Sequence, residues 1–408
     1  MSEAPVVTGL GLVTPGGVGL TATWRTVCRG GSTARNDPEL AAAPVPLACR
    51  VPAFDRTRVP ARMPWRLDRS TRLLLVAADE SLRHAGIRPG EWEPSRVAVV
   101  IGSAAGGVTT FESAHRTFLE HGPAGLSPLT LPGFLPNMAA AAHLALELGV
   151  TGPSLHTSTA CASGATALIT ACLLLAAGAC DIALAGGTDA MVTPLCAAAF
   201  ARMGALSRRT GEPAAASRPF DRDRDGFVLG EGAAVLVLER AAHARARGTP
   251  PLAHVVGHAA TGDAHHPVAP DPRGRGLRAA VSQALRQAGV TVTDVHHVNA
   301  HGTGTPLNDR VEASVIRELY GRSAPSVTSV KGTLGHTMGA AGAIEAALTV
   351  QTLLTGSVPP TANFRAPDAG TAGIDLVVAR PRQQGPKLAV SHSLGFGGHN
   401  TVVALAAA

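Results

Sequence analysis

The chain is almost without lysine. Lys331 and Lys387 are the two it has, so nearly all of its positive charge is arginine and each lysine asks for a specific explanation. Aromatic side chains make up 3% of its 408 residues, so a core has to be filled by alanine, valine and leucine. No basic run is interleaved with aromatics, which removes the usual footprint of a nucleic-acid binder although the formal net charge is +6. A large acidic protein partner suits that charge equally well. Cys28, Cys49, Cys161, Cys172, Cys180 and Cys196 contain no C-x-x-C pair and no framework spacing, so a disulfide scaffold is not expected. No apolar run is long enough to span a bilayer. The longest, around Ala167 to Ala179, is short and broken and reads as a buried helix. The polar start MSEAP lacks a signal-peptide core, so a reduced cytoplasm is the expected compartment and no membrane is expected as a partner.

Other signatures are incomplete. Val6 to Pro15, VVTGLGLVTP, is a strand running into a glycine turn, but it lacks the third glycine of a dinucleotide fingerprint and has proline where the helix should run. Phe220 to Gly232, FDRDRDGFVLGEG, has three aspartates without EF-hand spacing, and reads as a structural turn. No H-E-x-x-H and no G-x-S-x-G is present, which argues against a zinc protease and a serine hydrolase.

What is present is a repeating alternation. Val97 to Ile101, Asp181 to Ala185 and Ala233 to Leu238 read as buried strands; Arg69 to His84 and Asn137 to Leu148 have helical spacing. After a break rich in Ala, Arg and Pro at 240–252 the pattern resumes. Strands are expected at 252–259, 295–300, 326–330, 374–379, 387–393 and 401–406, and helices at 274–288, Val311 to Tyr320 and Gly339 to Leu354. Residues 30–60 have little periodicity and read as surface loop. The whole implies an α/β fold with mostly parallel sheets, divided into residues 1–250 and 251–408.

One stretch organises the chemistry. In Leu155 to Leu168, LHTSTACASGATAL, an apolar start gives way to small and hydroxyl residues, then Cys161, then a helical run. A cysteine where a helix opens feels the positive end of its dipole, which lowers the thiol pKa and favours the reactive thiolate. A buried structural cysteine is the alternative. Three further stretches carry polar groups in apolar surroundings: NAHGTGTPLND with His301, SVKGTLGHTMGAAGAIE with Lys331, His336 and Glu345, and SHSLGFGGHN, whose glycine turn can present backbone N–H groups. Cys161, His301 and His336 could also be zinc ligands, but none of them has close ligand spacing, and no metal is expected.

Together these stretches, in this order and with VVTGLGLVTP and SRPFDRDRDGFVLGEGAAVLVLE, resemble the β-ketoacyl-acyl carrier protein synthases of the elongating Cys-His-His type over nearly the whole chain. The resemblance implies the thiolase fold: two similar βαβαβαββ halves forming a five-layered α-β-α-β-α core, usually dimeric. It implies Cys161 as acyl acceptor, His301 and His336 as the decarboxylation and condensation pair, and Lys331 paired with Glu345. The amides of Cys161 and Phe396 would form the oxyanion hole, with Phe396 gating the acyl pocket. Thr303, Thr305, Asp263, Gly395, Gly397 and Gly398 would support the site, and Ala104, Ala105 and Phe200 would line the substrate pocket. Arg62, Arg66 and Arg69 align with the part of the family that docks the carrier protein. No cofactor is expected, since the substrates ride on the phosphopantetheine arm of an acyl carrier protein. The implied partners are that carrier and a second subunit, either another copy or a chain-length-factor-like chain.

Several features narrow the resemblance. His399 stands where many relatives have threonine. No acyltransferase, reductase or carrier segment is visible, so a freestanding enzyme of type II polyketide, polyene or fatty-acid synthesis is expected. Cys161 argues against a chain-length factor, and His336 against an initiating Cys-His-Asn synthase. A non-elongating acyltransferase and a non-catalytic partner subunit remain as alternatives.

Overall fold

A computed structural model describes residues 3–61 and 64–408 of the chain. Its core is built from two sets of five strands. The first set comprises β1 (Val6–Thr14), β2 (Val97–Gly102), β3 (Ser154–Thr157), β4 (Ile182–Asp189) and β5 (Gly232–Glu239). The second comprises β6 (Ala253–Gly262), β7 (His297–Asn299), β8 (Ser326–Thr328), β9 (Leu388–Gly395) and β10 (His399–Ala407). In space the first set runs β3-β2-β4-β5-β1 and the second β8-β7-β9-β10-β6, the same order twice, with a short edge strand Asp375–Leu376 beside β8. The two sets join where Val6 and Val7 of β1 meet His254 and Ala253 of β6.

The sheets are mixed rather than mostly parallel. β2, β3 and β4 are mutually parallel, as are β7, β8 and β9. The last two strands of each order are antiparallel to their neighbours. In the second set the reason is local: β9 and β10 are joined by a tight glycine turn, and only antiparallel strands can be joined so briefly.

The helices that frame the strands and the site include α1 (Arg69–Ala85), α2 (Val108–His121), α3 (Ser163–Ala176), α4 (Pro194–Arg202), α5 (Arg275–Ala288), α6 (Pro306–Tyr320), α7 (Lys331–Leu334) and α8 (Ala341–Thr355). α1 packs on β1 and β5, and α5 packs on β6 and β10. α3 and α8 lie against each other between the sheets, giving five layers. Their sequences explain the placement. α3 has no charged residue, and α8 has Glu345 as its single one. Helices apolar on all sides are stable only when covered on all sides. α1 has an apolar stripe and a polar face, starts at the Asp68 side chain, and stops at Gly86.

The two central helices meet at Gly164, where an added Cβ would lie 2.9 Å from Ala343 N and Gly339 O. A glycine-to-alanine change inside a helix ordinarily stabilises by about 0.5–1 kcal/mol. Here backbone stands in the way, so Gly164→Ala is expected to destabilise by roughly 1–3 kcal/mol in urea unfolding. A more stable variant would mean that the helices separate without cost.

Residues 30–60 are not simply surface loop. Leu47–Cys49 pairs with Arg35–Asn36 and with Leu229–Gly230, and Leu40, Val45, Leu47 and Cys49 are buried. Strands of two or three residues are too short to leave a periodic signature. The aspartate-rich turn is structural, as its spacing indicated. Asp221 accepts the amides of Asp223, Arg365 and Ala366, and Arg224 bridges to Asp368 at 2.9 Å.

Candidate active site

Cys161 sits on the turn between β3 and α3, two residues before the helix begins. Ala160 before it has φ +50°, a left-handed conformation that costs a non-glycine residue roughly 1–2 kcal/mol. Ser163 holds the turn, donating to Ala160 O at 2.6 Å and accepting from Thr159 N at 2.9 Å. The end of β9 closes on this turn at Gly395. A Cβ there would lie 2.4 Å from Thr159 O and 3.3 Å from Cys161 N, so no other residue allows the approach. The approach brings the Phe396 amide toward Cys161, where it pulls the thiol pKa down.

The expected low thiol pKa is corrected by burial. Cys161 is 6% exposed, and desolvation pushes its thiol up to about 12, against the pull of the Lys331 ammonium and the Phe396 amide. The resting group is therefore a thiol.

His301 follows β7 and His336 follows α7, and both are buried. Their rings stand nearly perpendicular, 81°, with centroids 5.4 Å apart. Cys161 Sγ and one ring nitrogen of each histidine lie within 4.8 Å of one another. Burial and the positive charge of Lys331 hold both imidazoles well below their usual range, so both are neutral. Their tautomers follow from their neighbours. Lys331 Nζ donates to His301 Nδ1 at 3.3 Å, and the Met338 amide donates to His336 Nδ1 at 3.3 Å. Each ring therefore carries its proton on Nε2, leaving two N–H donors. Lys331 is buried and also pairs with Glu345, whose carboxyl burial pushes up to about 7 although Lys331 pulls it down. The Cys161, His301 and His336 spacing alone would suit a metal, but the Lys331 ammonium against His301 places a fixed positive charge beside such an ion.

A cavity of about 360 Å³ opens in front of Cys161. His301, His336, Phe396, Thr303, Thr305 and His399 line it. The Thr303 and Thr305 hydroxyls are bonded to each other at 2.9 Å. Asp263 braces the turn from Gly395 through Gly397 and Gly398: its amide donates to Gly398 O at 2.9 Å and its carboxylate accepts from Asn400 at 2.8 Å. The exposed imidazole of His399 folds over Gly397.

Family models for the N-terminal and C-terminal domains of the beta-ketoacyl synthases match residues 3–244 and 252–365. The chain belongs to the β-ketoacyl synthase family. Two curated relatives named 3-oxoacyl-[acyl-carrier-protein] synthase 2 are each 38% identical to it. The one from Synechocystis sp. covers 98% of this chain and 97% of its own, and the one from Vibrio cholerae 97% of each. Among solved structures, the ishigamide ketosynthase/chain length factor superposes with a TM-score of 0.93 at 30% identity, covering 100% of both chains. A beta-ketoacyl synthase from Burkholderia phymatum does so at 0.92 and 31%, again covering 100% of both. The fold is therefore the thiolase fold, and the family's chemistry needs no metal or redox cofactor.

Not every residue singled out in this ketosynthase reaches the cavity. Ala104, Ala105 and Phe200 lie outside its lining. Ala104 and Phe200 pack in an apolar cluster on the covered side of Cys161, with Val192, Phe227 and Met338. The Phe200 ring is 6.5 Å from Phe396. The amides of Ala104 and Ala105 donate to Asp189 at 2.9 and 3.3 Å. Asp189, which the sequence does not single out, ties this loop to Ser103 and to the Gly339 amide ahead of α8, both at 2.6 Å. Burial raises its carboxyl to about 6. Of the docking arginines, Arg62 lies outside the described residues. Arg66 is exposed. Arg69 is not a free surface charge: it makes a two-pronged bond to buried Glu231, at 2.6 and 2.5 Å, because Glu231 needs a counter-ion there.

Proposed function

We propose that this chain is a 3-oxoacyl-[acyl-carrier-protein] synthase that loads an acyl group on Cys161 and extends it with malonyl-acyl carrier protein. The observation that carries the reading is the pair of neutral imidazoles, each with its proton on Nε2, against a thiol that also receives the Phe396 amide. In the first half-reaction Cys161 Sγ attacks the acyl thioester, the Cys161 and Phe396 amides receive the developing oxyanion, and the pantetheine sulfur leaves with the thiol proton. In the second, the malonyl thioester loses carbon dioxide, and the two Nε2–H groups take the charge that develops on the enolate oxygen. The enolate carbon attacks the acyl-Cys161 carbonyl, forming the carbon–carbon bond. The Cys161 thiolate leaves and takes up one proton, which burial favours. The decisive experiment incubates the purified chain with acyl- and malonyl-carrier protein and follows carbon dioxide release and intact mass. Release without a product two carbons longer would leave only a decarboxylase.

Residues 1–250 then supply the nucleophile and 251–408 the histidines, a division that the repeated strand order supports. The pathway is type II polyketide, polyene or fatty-acid synthesis. The relatives' names support the last, and a solved complex of a type II PKS acyl-carrier protein with its ketosynthase bound to the hexaketide, with a TM-score of 0.92 at 28% identity, supports the first. The partners are an acyl carrier protein and a second subunit, identical or chain-length-factor-like. The compartment is the cytoplasm, which suits cysteines that are all unpaired. No helix among the described residues is long and apolar enough to cross a membrane.

Carriers of this kind are acidic, so the docking face should be basic. Arg66 is exposed, and so is Arg202, next to Met203 on the cavity wall. Exposed rim charges act on association and are screened by salt. Arg66→Glu with Arg202→Glu is therefore expected to raise KM for carrier-bound substrate about tenfold at low salt, with kcat unchanged and the difference shrinking in high salt. Turnover of a small thioester mimic should not change. An unaltered KM would place docking elsewhere.

A further inference from the structure

The reaction above makes no use of a fully buried histidine, His392, in the middle of β9. Its partner is Glu312 on α6, also fully buried. Glu312 Oε1 accepts the amide of His301 at 2.8 Å, and Oε2 accepts the amide of Gly302 at 2.8 Å. With an amide on each oxygen, Glu312 is the acceptor in its third contact. His392 Nδ1, 3.1 Å from Oε1, is thus the N–H donor. Among the described residues, His392 is the side chain that forms an ion-pair contact with Glu312. From His392 the strand continues to Gly395, which lies against the Cys161 turn, and on to Phe396, whose amide faces the thiol.

We infer that His392 is a positioning residue: through Nδ1–H and Glu312 it fixes the loop carrying His301 relative to the strand end carrying Phe396. Glu312 grips the backbone of the enolate-binding histidine directly, and His392 anchors that grip to the strand that supplies the oxyanion donor. The inference deepens the proposed condensing reaction and rests on it. The enolate carbon and the acyl carbonyl carbon must be held within a few tenths of an ångström of a productive geometry, and a 1 Å misplacement costs about 100-fold in rate. Electrostatics point the same way, since His392 is among the groups that hold His301 below its usual range, after burial, Lys331 and His336.

The geometry names its own conservative replacement. Asparagine places an amide nitrogen close to where Nδ1 lies, whereas glutamine places one near Nε2, which makes no bond here. His392→Asn should keep kcat for malonyl-carrier decarboxylation within about threefold, while His392→Gln and His392→Leu should lose at least about tenfold with KM unchanged. Alkylation of Cys161 by iodoacetamide should stay within about twofold in all three. Equal losses in Asn and Gln, undiminished decarboxylation in Gln, or alkylation falling in step with decarboxylation would overturn the inference. If His392→Leu does not fold, the Asn and Gln pair decides. A measurement without substrate separates this inference from the reaction it rests on. The Nδ1–H of His392 should give a downfield, slowly exchanging proton resonance in the resting protein, assigned by its loss in His392→Gln. Its presence in a chain that fails to decarboxylate would sink the condensing reaction and leave the anchor standing. Its absence would sink the anchor.

Discussion

Cys161→Ala abolishes acyl transfer and condensation, yet malonyl-carrier decarboxylation continues. The nucleophile is lost, while the two Nε2–H donors stay in place, as do the Lys331 ammonium and the Met338 amide that set the tautomers of His301 and His336. Intact mass should show no acyl adduct and carbon dioxide should still be released. Condensation by the alanine variant would remove Cys161 from the mechanism. The resting thiol gives a companion measurement. Because burial holds it at about 12, the thiolate fraction rises tenfold for each pH unit below that value. Iodoacetamide alkylation should therefore climb steadily between about pH 7 and 9 without levelling. A plateau in that range would restore the dipole-lowered thiolate that the strand-turn-helix pattern alone suggests.

Lys331→Met is the second large effect. It leaves Glu345 buried without its counter-ion, and breaking a buried pair from one side costs roughly 3–5 kcal/mol. It also removes the donor that keeps the His301 proton on Nε2, so decarboxylation should fall with stability. The pH dependence has a definite sign. Burial already raises the Glu345 carboxyl to about 7, and losing Lys331 raises it further. A carboxyl raised in the folded state is tolerated while protonated and penalised once it ionises. The stability deficit in urea should thus be smallest near about pH 5 and grow through pH 7 to 8. Lys331→Met combined with Glu345→Leu should recover much of the stability and none of the activity, because both buried charges are then gone. A single variant as stable and active as the parent at pH 8 would make the lysine incidental.

These expectations start from residues visible in the bare sequence, for physical reasons. Cys161, His301, Lys331 and His336 each lie where an apolar run breaks at a turn, and such breaks are what a strand end looks like in one dimension. The two central helices were legible because charge is nearly absent from them. Other features needed three dimensions. Glu312 and Asp189 act by accepting amides from distant segments, and nothing in their local sequence marks a partner 11 or 150 residues away. In sequence Arg69 is indistinguishable from the arginines near it, and only the fold places Glu231 beneath it. The sequence misleads on the thiol pKa because the helix end is local and legible, while the burial that outweighs it comes from the whole fold. The short strands of residues 30–60 were missed because pairing, not pattern, creates them.

The repeated strand order also bears on how the protein is made. A chain emerging from the ribosome completes the strands around Cys161 before the segments bearing His301, His336 and Phe396 exist, and domains tend to fold as they emerge. At that stage α3 has no α8 to cover it, and the sulfur has no oxyanion donor from β9 and no imidazole beside it. At that point the nascent chain lacks the segment that makes the cysteine useful, because β9 is translated long after the Cys161 turn. Synthesis itself acts as a timer that withholds reactivity until assembly is finished.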